Sequence, residues 1–113
     1  MVEATALHQE LHRFALIDVR QSHEWERERI RGSINIPANE LAERSSEIPA
    51  GRPVVTVCDV GQVSAVAATE LRESGLDARN LWGGMKAWID ANLPTTNDLD
   101  APDPVIERDT EPR

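Results

Sequence analysis

Short apolar, β-branched runs alternate with segments of helical periodicity from Ala4 to Ile89. Strands separated by helices cannot pair through tight hairpins, so they are driven into parallel register with the helices packed on the sheet faces. The expected fold class is α/β, with a mostly parallel sheet of about five short strands and helices on both faces. The clearest unit is Val54-Val55-Thr56-Val57-Cys58-Asp59-Val60-Gly61-Gln62-Val63-Ser64-Ala65-Val66-Ala67-Ala68, which reads strand, loop, helix.

The chain's single cysteine stands at the carboxyl end of that strand. In open α/β sheets this edge is where sites are built, and a loop turning directly into a helix aims backbone N–H groups at its own centre. Such a setting favours an anionic sulfur over a neutral one. Cys58 is therefore a candidate nucleophile, and Asp59, Val60, Gly61, Gln62, Val63 and Ser64 form the candidate loop around it. A lone cysteine ending a central strand also serves as a small buried hydrophobe, so the rest of the chain has to decide.

Upstream, Leu7, Leu11 and Phe14 form an apolar stripe on a short helix. His8 and His12 share a face at i, i+4, but the third ligand a metal site needs is missing from the sequence, so a solvated face is expected and no metal. Ala15–Arg20 reads as a buried parallel strand whose charged end, Asp18 and Arg20, falls on the same edge as Cys58; a structural ion pair is expected. Ser22 is positioned to cap a helix over 24–29. Ser33–Pro37 is a minimal strand stopped by proline, and Leu41 and Ala42 face inward on the next helix.

After the cysteine loop, Val63, Val66, Ala67 and Leu71 stand at core spacing on a helix, with Gly75 as its left-handed stop. Ala78–Trp82 reads as another strand, Gly83-Gly84 turns the chain, and Met85–Ile89 starts a last helix. Met85, Trp82 and Trp88 are at the spacing of core residues, the reading preferred for them, with pocket lining as the alternative.

A chain of 113 residues has room for one such core. The net charge of −8 argues against nucleic acid or an anionic membrane as partner, and half of the excess lies in residues 98–113. Residues 1–96 are expected to form the domain, and 97–113, acidic and Pro-containing with few apolar side chains, a flexible tail. The N-terminus lacks a signal-peptide pattern and one cysteine permits no intramolecular disulfide, which together suit a reducing cytoplasm.

Four motifs in order resemble a single-domain rhodanese over residues 3–94: Leu16-Ile17-Asp18-Val19-Arg20 followed by Glu24-Trp25; Ile30-Arg31-Gly32-Ser33-Ile34-Asn35-Ile36-Pro37; Cys58 to Ser64 with its Ala-rich helix; and Gly83-Gly84-Met85-Lys86-Ala87-Trp88. The resemblance implies a sulfurtransferase in which Cys58 takes a sulfane sulfur as a persulfide and passes it to a thiophilic acceptor such as cyanide, a thiol or a protein thiol. It implies no cofactor, a loop cradle from Val60 to Ser64, and supporting positions at Asp18, Arg20, Gly83, Gly84, Met85 and Trp88. The partners implied are a small sulfane-sulfur donor and a thiol or cyanide acceptor, with a sulfur-accepting protein as a further acceptor.

The sequence departs from the family where active members commonly carry Arg or Lys before the helix-opening serine; here Val63 precedes Ser64, and the loop's only charge is Asp59. Arg29 stands where the family commonly has histidine. A neutral to negative rim is expected to bind thiosulfate weakly, since a close contact to a charge is worth about 1.5–3 kcal/mol. A cysteine phosphatase would need Arg six residues after the cysteine, and that position is Ser64. The alternative is a weak or inactive rhodanese-like module serving regulation or protein interaction.

Overall fold

Burial on both faces decides the strands. The computed structural model describes residues 1–97, so the expected tail lies outside the described residues from Asp98 onward. Strands β1 (Ala15–Asp18), β2 (Ile34–Asn35), β3 (Val54–Val57) and β4 (Ala78–Asn80) form one sheet in the order β2-β1-β3-β4, parallel throughout. Every residue of β1 and β3 is buried, as expected for a central parallel pair covered on both sides. Leu16 pairs with Val55 and Asp18 with Val57, which brings the carboxyl ends of the two strands level.

Among the described residues the sheet has four strands rather than about five. What would be the fifth shrinks to one parallel bridge beside β4, in which the Val2 N–H donates to the Asn80 carbonyl at 2.9 Å and the Trp82 N–H to that of Val2 at 2.8 Å. Helix α1 starts at Ala4, so only Glu3 separates the bridge from the helix.

Helices α1 (Ala4–Gln9) and α5 (Gly84–Asp90) cover one face; α3 (Leu41–Arg44) and α4 (Gln62–Glu73) cover the other. Period-two alternation sorts the strand side chains between them: Ala15, Ile17 and Val54 meet the α3–α4 side, whereas Leu16, Val55 and Val57 meet the α1–α5 side. Trp88 is wholly buried and its indole N–H donates to the Pro94 carbonyl at 2.8 Å, so α5 carries the following segment with it. Fully burying an apolar side chain of this size contributes about 1.5–3 kcal/mol.

Three helix expectations need correction: on α3 only Leu41 faces inward, whereas Ala42, on the next position round the helix, is exposed. On α4 the inward face is Ser64, Ala67, Ala68 and Leu71, while Val63 and Val66 are 52% and 60% exposed. The i, i+3, i+4, i+7 stripe is set by the small residues, whose size lets the helix lie close to the sheet, and the valines are turned outward. In α2 (Ser22–Arg27) the cap is Gln21, whose backbone is extended, and Ser22 is already helical. This helix stops at Arg27 because Glu28 is extended and Arg29 forms an antiparallel bridge with Thr96.

Candidate active site

Cys58 follows the last residue of β3 and is held from three directions. Its carbonyl accepts the Met85 N–H at 2.8 Å, and the Asp59 carbonyl accepts that of Lys86 at 3.0 Å, so the first turn of α5 clamps the loop's backbone. Gly84 makes this approach possible: a Cβ there would sit 2.4 Å from the Cys58 oxygen, and its φ of +61° is left-handed. Gly61, at φ +97°, turns the chain into α4. From that turn the Gly61 and Ser64 N–H groups both donate to Cys58 Sγ, at 3.2 Å each.

Of the residues Val60 to Ser64 expected to form a cradle, only Gly61 and Ser64, the two that are buried, donate N–H groups to the sulfur. Val60, Gln62 and Val63 are exposed and line the opening instead, as does Asp59. Cys58 itself is only 5% exposed, yet it opens on a cavity of about 280 Å³ walled by the loop, by Val19, Arg20, Gln21 and Glu24 after β1, and by Ala38.

Asp18 and Arg20 form the expected ion pair, and it is buried. The Arg20 Nε and Nη2 groups bind both carboxylate oxygens, with Nη2 to Oδ2 at 2.8 Å, and Nη2 also donates to the Glu28 carbonyl at 2.6 Å. Asn35 fixes the bend beneath them by donating Nδ2 to the Asp18 and Arg20 carbonyls, both at 3.0 Å. Burial works against the Arg20 charge, but the hydrogen bond to Asp18 and the charges of Asp18, Asp59 and Glu24 outweigh it and raise the guanidinium above its ordinary value. The cavity wall therefore contains a cation that the loop residues themselves do not supply, and three carboxylates compete for it.

Met85 is buried and lines a neighbouring cavity of about 340 Å³ beyond Asp59 and Val60. Neither Trp82 nor Trp88 lines the Cys58 cavity: Trp88 belongs to the core and Trp82 is 47% exposed. At Ser64, where a phosphatase would need its arginine, the hydroxyl is turned inward to Asn80. His8 and His12 are exposed, and the His8 ring meets the Trp88 ring edge-on at 5.6 Å. Among the described residues no three His, Cys, Asp or Glu side chains converge on a metal-sized site, and no helix is long and apolar enough to cross a membrane.

Asn80 is the residue that reading the chain missed. Standing at the end of β4, it hydrogen-bonds the Ser64 hydroxyl through Oδ1 and donates Nδ2 to the Gly61 carbonyl at 3.1 Å. Its signal was a polar side chain at the same sheet edge as the cysteine.

The model of the "Rhodanese-like domain" family matches residues 3–91. The chain is 42% identical over 74 residues to the uncharacterized protein YqhL of Bacillus subtilis, covering 65% of this chain and 59% of that one. It is 37% identical over 85 residues to the probable adenylyltransferase/sulfurtransferase MoeZ of Mycobacterium tuberculosis, covering 73% of this chain and 22% of that one. It thus spans less than two thirds of the length of either relative. The fold superimposes on the crystal structure of a rhodanese-related protein from Thermoplasma volcanium with a TM-score of 0.81 and 29% identity, over 84% of this chain and 95% of that one. The matched span contains the whole parallel sheet and the Cys58 loop, and the chain belongs to the rhodanese-like domain family.

Proposed function

We propose that the protein is a sulfurtransferase whose Cys58 carries the transferred sulfur. The observation that supports this most directly is the pair of backbone N–H groups, from Gly61 and Ser64, that converge on Sγ at the mouth of a cavity. A buried structural thiol has no need of two donors, whereas a sulfur that must carry negative charge is stabilised by them, as an oxyanion is by its hole.

In the first step the Cys58 thiolate attacks the sulfane sulfur of a donor. A new S–S bond forms, the donor's own bond to that sulfur breaks, and the leaving group departs with the electron pair, as sulfite from thiosulfate or as a thiolate from a low-molecular-weight persulfide. In the second step the carbon of cyanide or the sulfur of a thiolate attacks the terminal sulfur, and the Cys58 thiolate is regenerated. Neither step calls for a metal or an organic cofactor. A reducing cytoplasm suits this chemistry because the thiol must stay free between turnovers.

Donors and acceptors are small sulfane-sulfur compounds, thiols or cyanide, and a sulfur-accepting protein is the macromolecular candidate. Nucleic acid and membrane are not proposed as partners, given the net charge of −8. Thiosulfate binds weakly on this reading, since the Arg20 guanidinium in the cavity wall is paired with Asp18 and flanked by Asp59 and Glu24. That same feature, with the low exposure of Cys58, supports the second reading, a rhodanese-like interaction or regulatory module.

Intact mass separates the two. After incubation with thiosulfate, and separately with a low-molecular-weight persulfide, the protein should gain one sulfur and Cys58→Ser should gain none. No gain from either donor would leave the interaction module as the better account.

A further inference from the structure

Asn80 is bound to both of the residues whose amides hold the sulfur. Its Oδ1 takes the Ser64 hydroxyl and its Nδ2 donates to the Gly61 carbonyl at 3.1 Å, while the Gly61 and Ser64 N–H groups point the other way, to Cys58 Sγ at 3.2 Å. From the sheet side, Thr56 Oγ1 donates to the Ser64 carbonyl at 2.7 Å. One planar amide on β4 thus spans the turn from Gly61 to Ser64.

We propose that Asn80 is a positioning residue for the sulfur chemistry of Cys58, acting through the Gly61 and Ser64 amides rather than by contact with the reacting atoms. The physical argument is one of pre-organisation. A hydrogen bond to an anion depends steeply on its angle and length, and donors held in place spend nothing on reorientation when charge forms on the sulfur. The Gly61 turn is left-handed, its carbonyl also accepts the Ala65 N–H at 3.2 Å, and its solvent side is rimmed by exposed Val60, Gln62 and Val63. Asn80 is itself half-buried at a strand end, where truncation removes its hydrogen bonds without emptying the apolar core. The inference rests on the sulfurtransferase reading for its purpose, but its effect on the thiol can be measured apart from it.

The test compares Asn80→Ala, Ser64→Ala and the double variant with the parent. Alkylation of Cys58 by iodoacetamide is followed as a function of pH, with melting curves alongside. None of these substitutions changes net charge, so a shift in the profile reports the geometry of the donors. Asn80→Ala should move the midpoint of the alkylation profile up by about one pH unit, corresponding to a tenfold smaller thiolate fraction below it, and should slow sulfur loading from a persulfide about tenfold. Ser64→Ala, which keeps its backbone N–H, should give part of the same shift, and the double variant less than the sum. A lowered melting temperature with the parent's alkylation profile would make Asn80 a purely structural brace and overturn the proposal. Should Asn80→Ala not fold, an unshifted profile in Ser64→Ala would overturn it equally. Failure of the parent to gain sulfur from any donor would instead defeat the sulfurtransferase reading, with the alkylation profile still deciding the role of Asn80.

Discussion

Replacing Val63 by arginine tests the electrostatics of the Cys58 cavity with little structural disturbance. Val63 is 52% exposed and lines the opening, so a longer side chain has room to lie over the mouth without entering the core. The new cation would face a donor bound at Sγ, on a wall whose own guanidinium is already paired with Asp18. Taking a separation of about 6 Å in water-like dielectric, each unit charge on the donor gains about 0.7 kcal/mol, hence about 1.4 kcal/mol for the thiosulfate dianion. At low ionic strength that is roughly a tenfold fall in KM; screening over a Debye length of about 8 Å at 0.15 M leaves about threefold. The gain belongs in KM, because the added charge attracts bound donor and transition state alike. The assay is thiosulfate:cyanide turnover at two salt concentrations, with thiocyanate as product and melting curves to confirm an intact fold. An unchanged KM in an intact variant would refute the charge argument, as would a fall that high salt does not diminish. Asp59→Ala should move in the same direction by less, since it removes a repulsion and adds no donor.

Other consequences follow from the packing. Asp18→Asn leaves the Arg20 guanidinium buried without its counter-charge, and breaking such a pair costs about 3–5 kcal/mol, so this variant should melt at least about 12 °C lower by calorimetry. An unchanged melting temperature would show that water reaches the pair. Gly84→Ala combines a left-handed backbone, a penalty of about 1–2 kcal/mol, with a Cβ placed 2.4 Å from the Cys58 oxygen. It should both destabilise the domain and slow Cys58 alkylation, and a loss of stability with an unaltered alkylation rate would show that the α5 clamp does not set the loop. Removing residues 98–113 should leave the melting temperature within error, because this segment offers few apolar side chains to anchor it. A marked drop would mean that it docks on the domain.

What the sequence determined by itself follows from local periodicity and from the rarity of certain residues. The mostly apolar runs at Leu16 and Val55 read as central strands of a covered sheet, and the single cysteine at the end of one of them pointed to the candidate edge. The pair Asp18 and Arg20, two residues apart at a strand end, was legible for the same reason. Tertiary structure decided what local pattern leaves degenerate. Val63 and Val66 fit a helical stripe as well as Ser64 and Ala68 do, and only the close approach of α4 to the sheet selects the small side chains for the inward face. The five loop amides look equivalent along the chain, yet the left-handed turn at Gly61 aims just Gly61 and Ser64 at the sulfur. Arg20 and Glu24 enter the Cys58 cavity because β1 and β3 run level in parallel, and Asn80 reaches the loop because β4 pairs with β3 on its other side. Those juxtapositions join residues sixteen or more positions apart. Periodicity reaches only a few residues along the chain, so strand order and register had to bring them together.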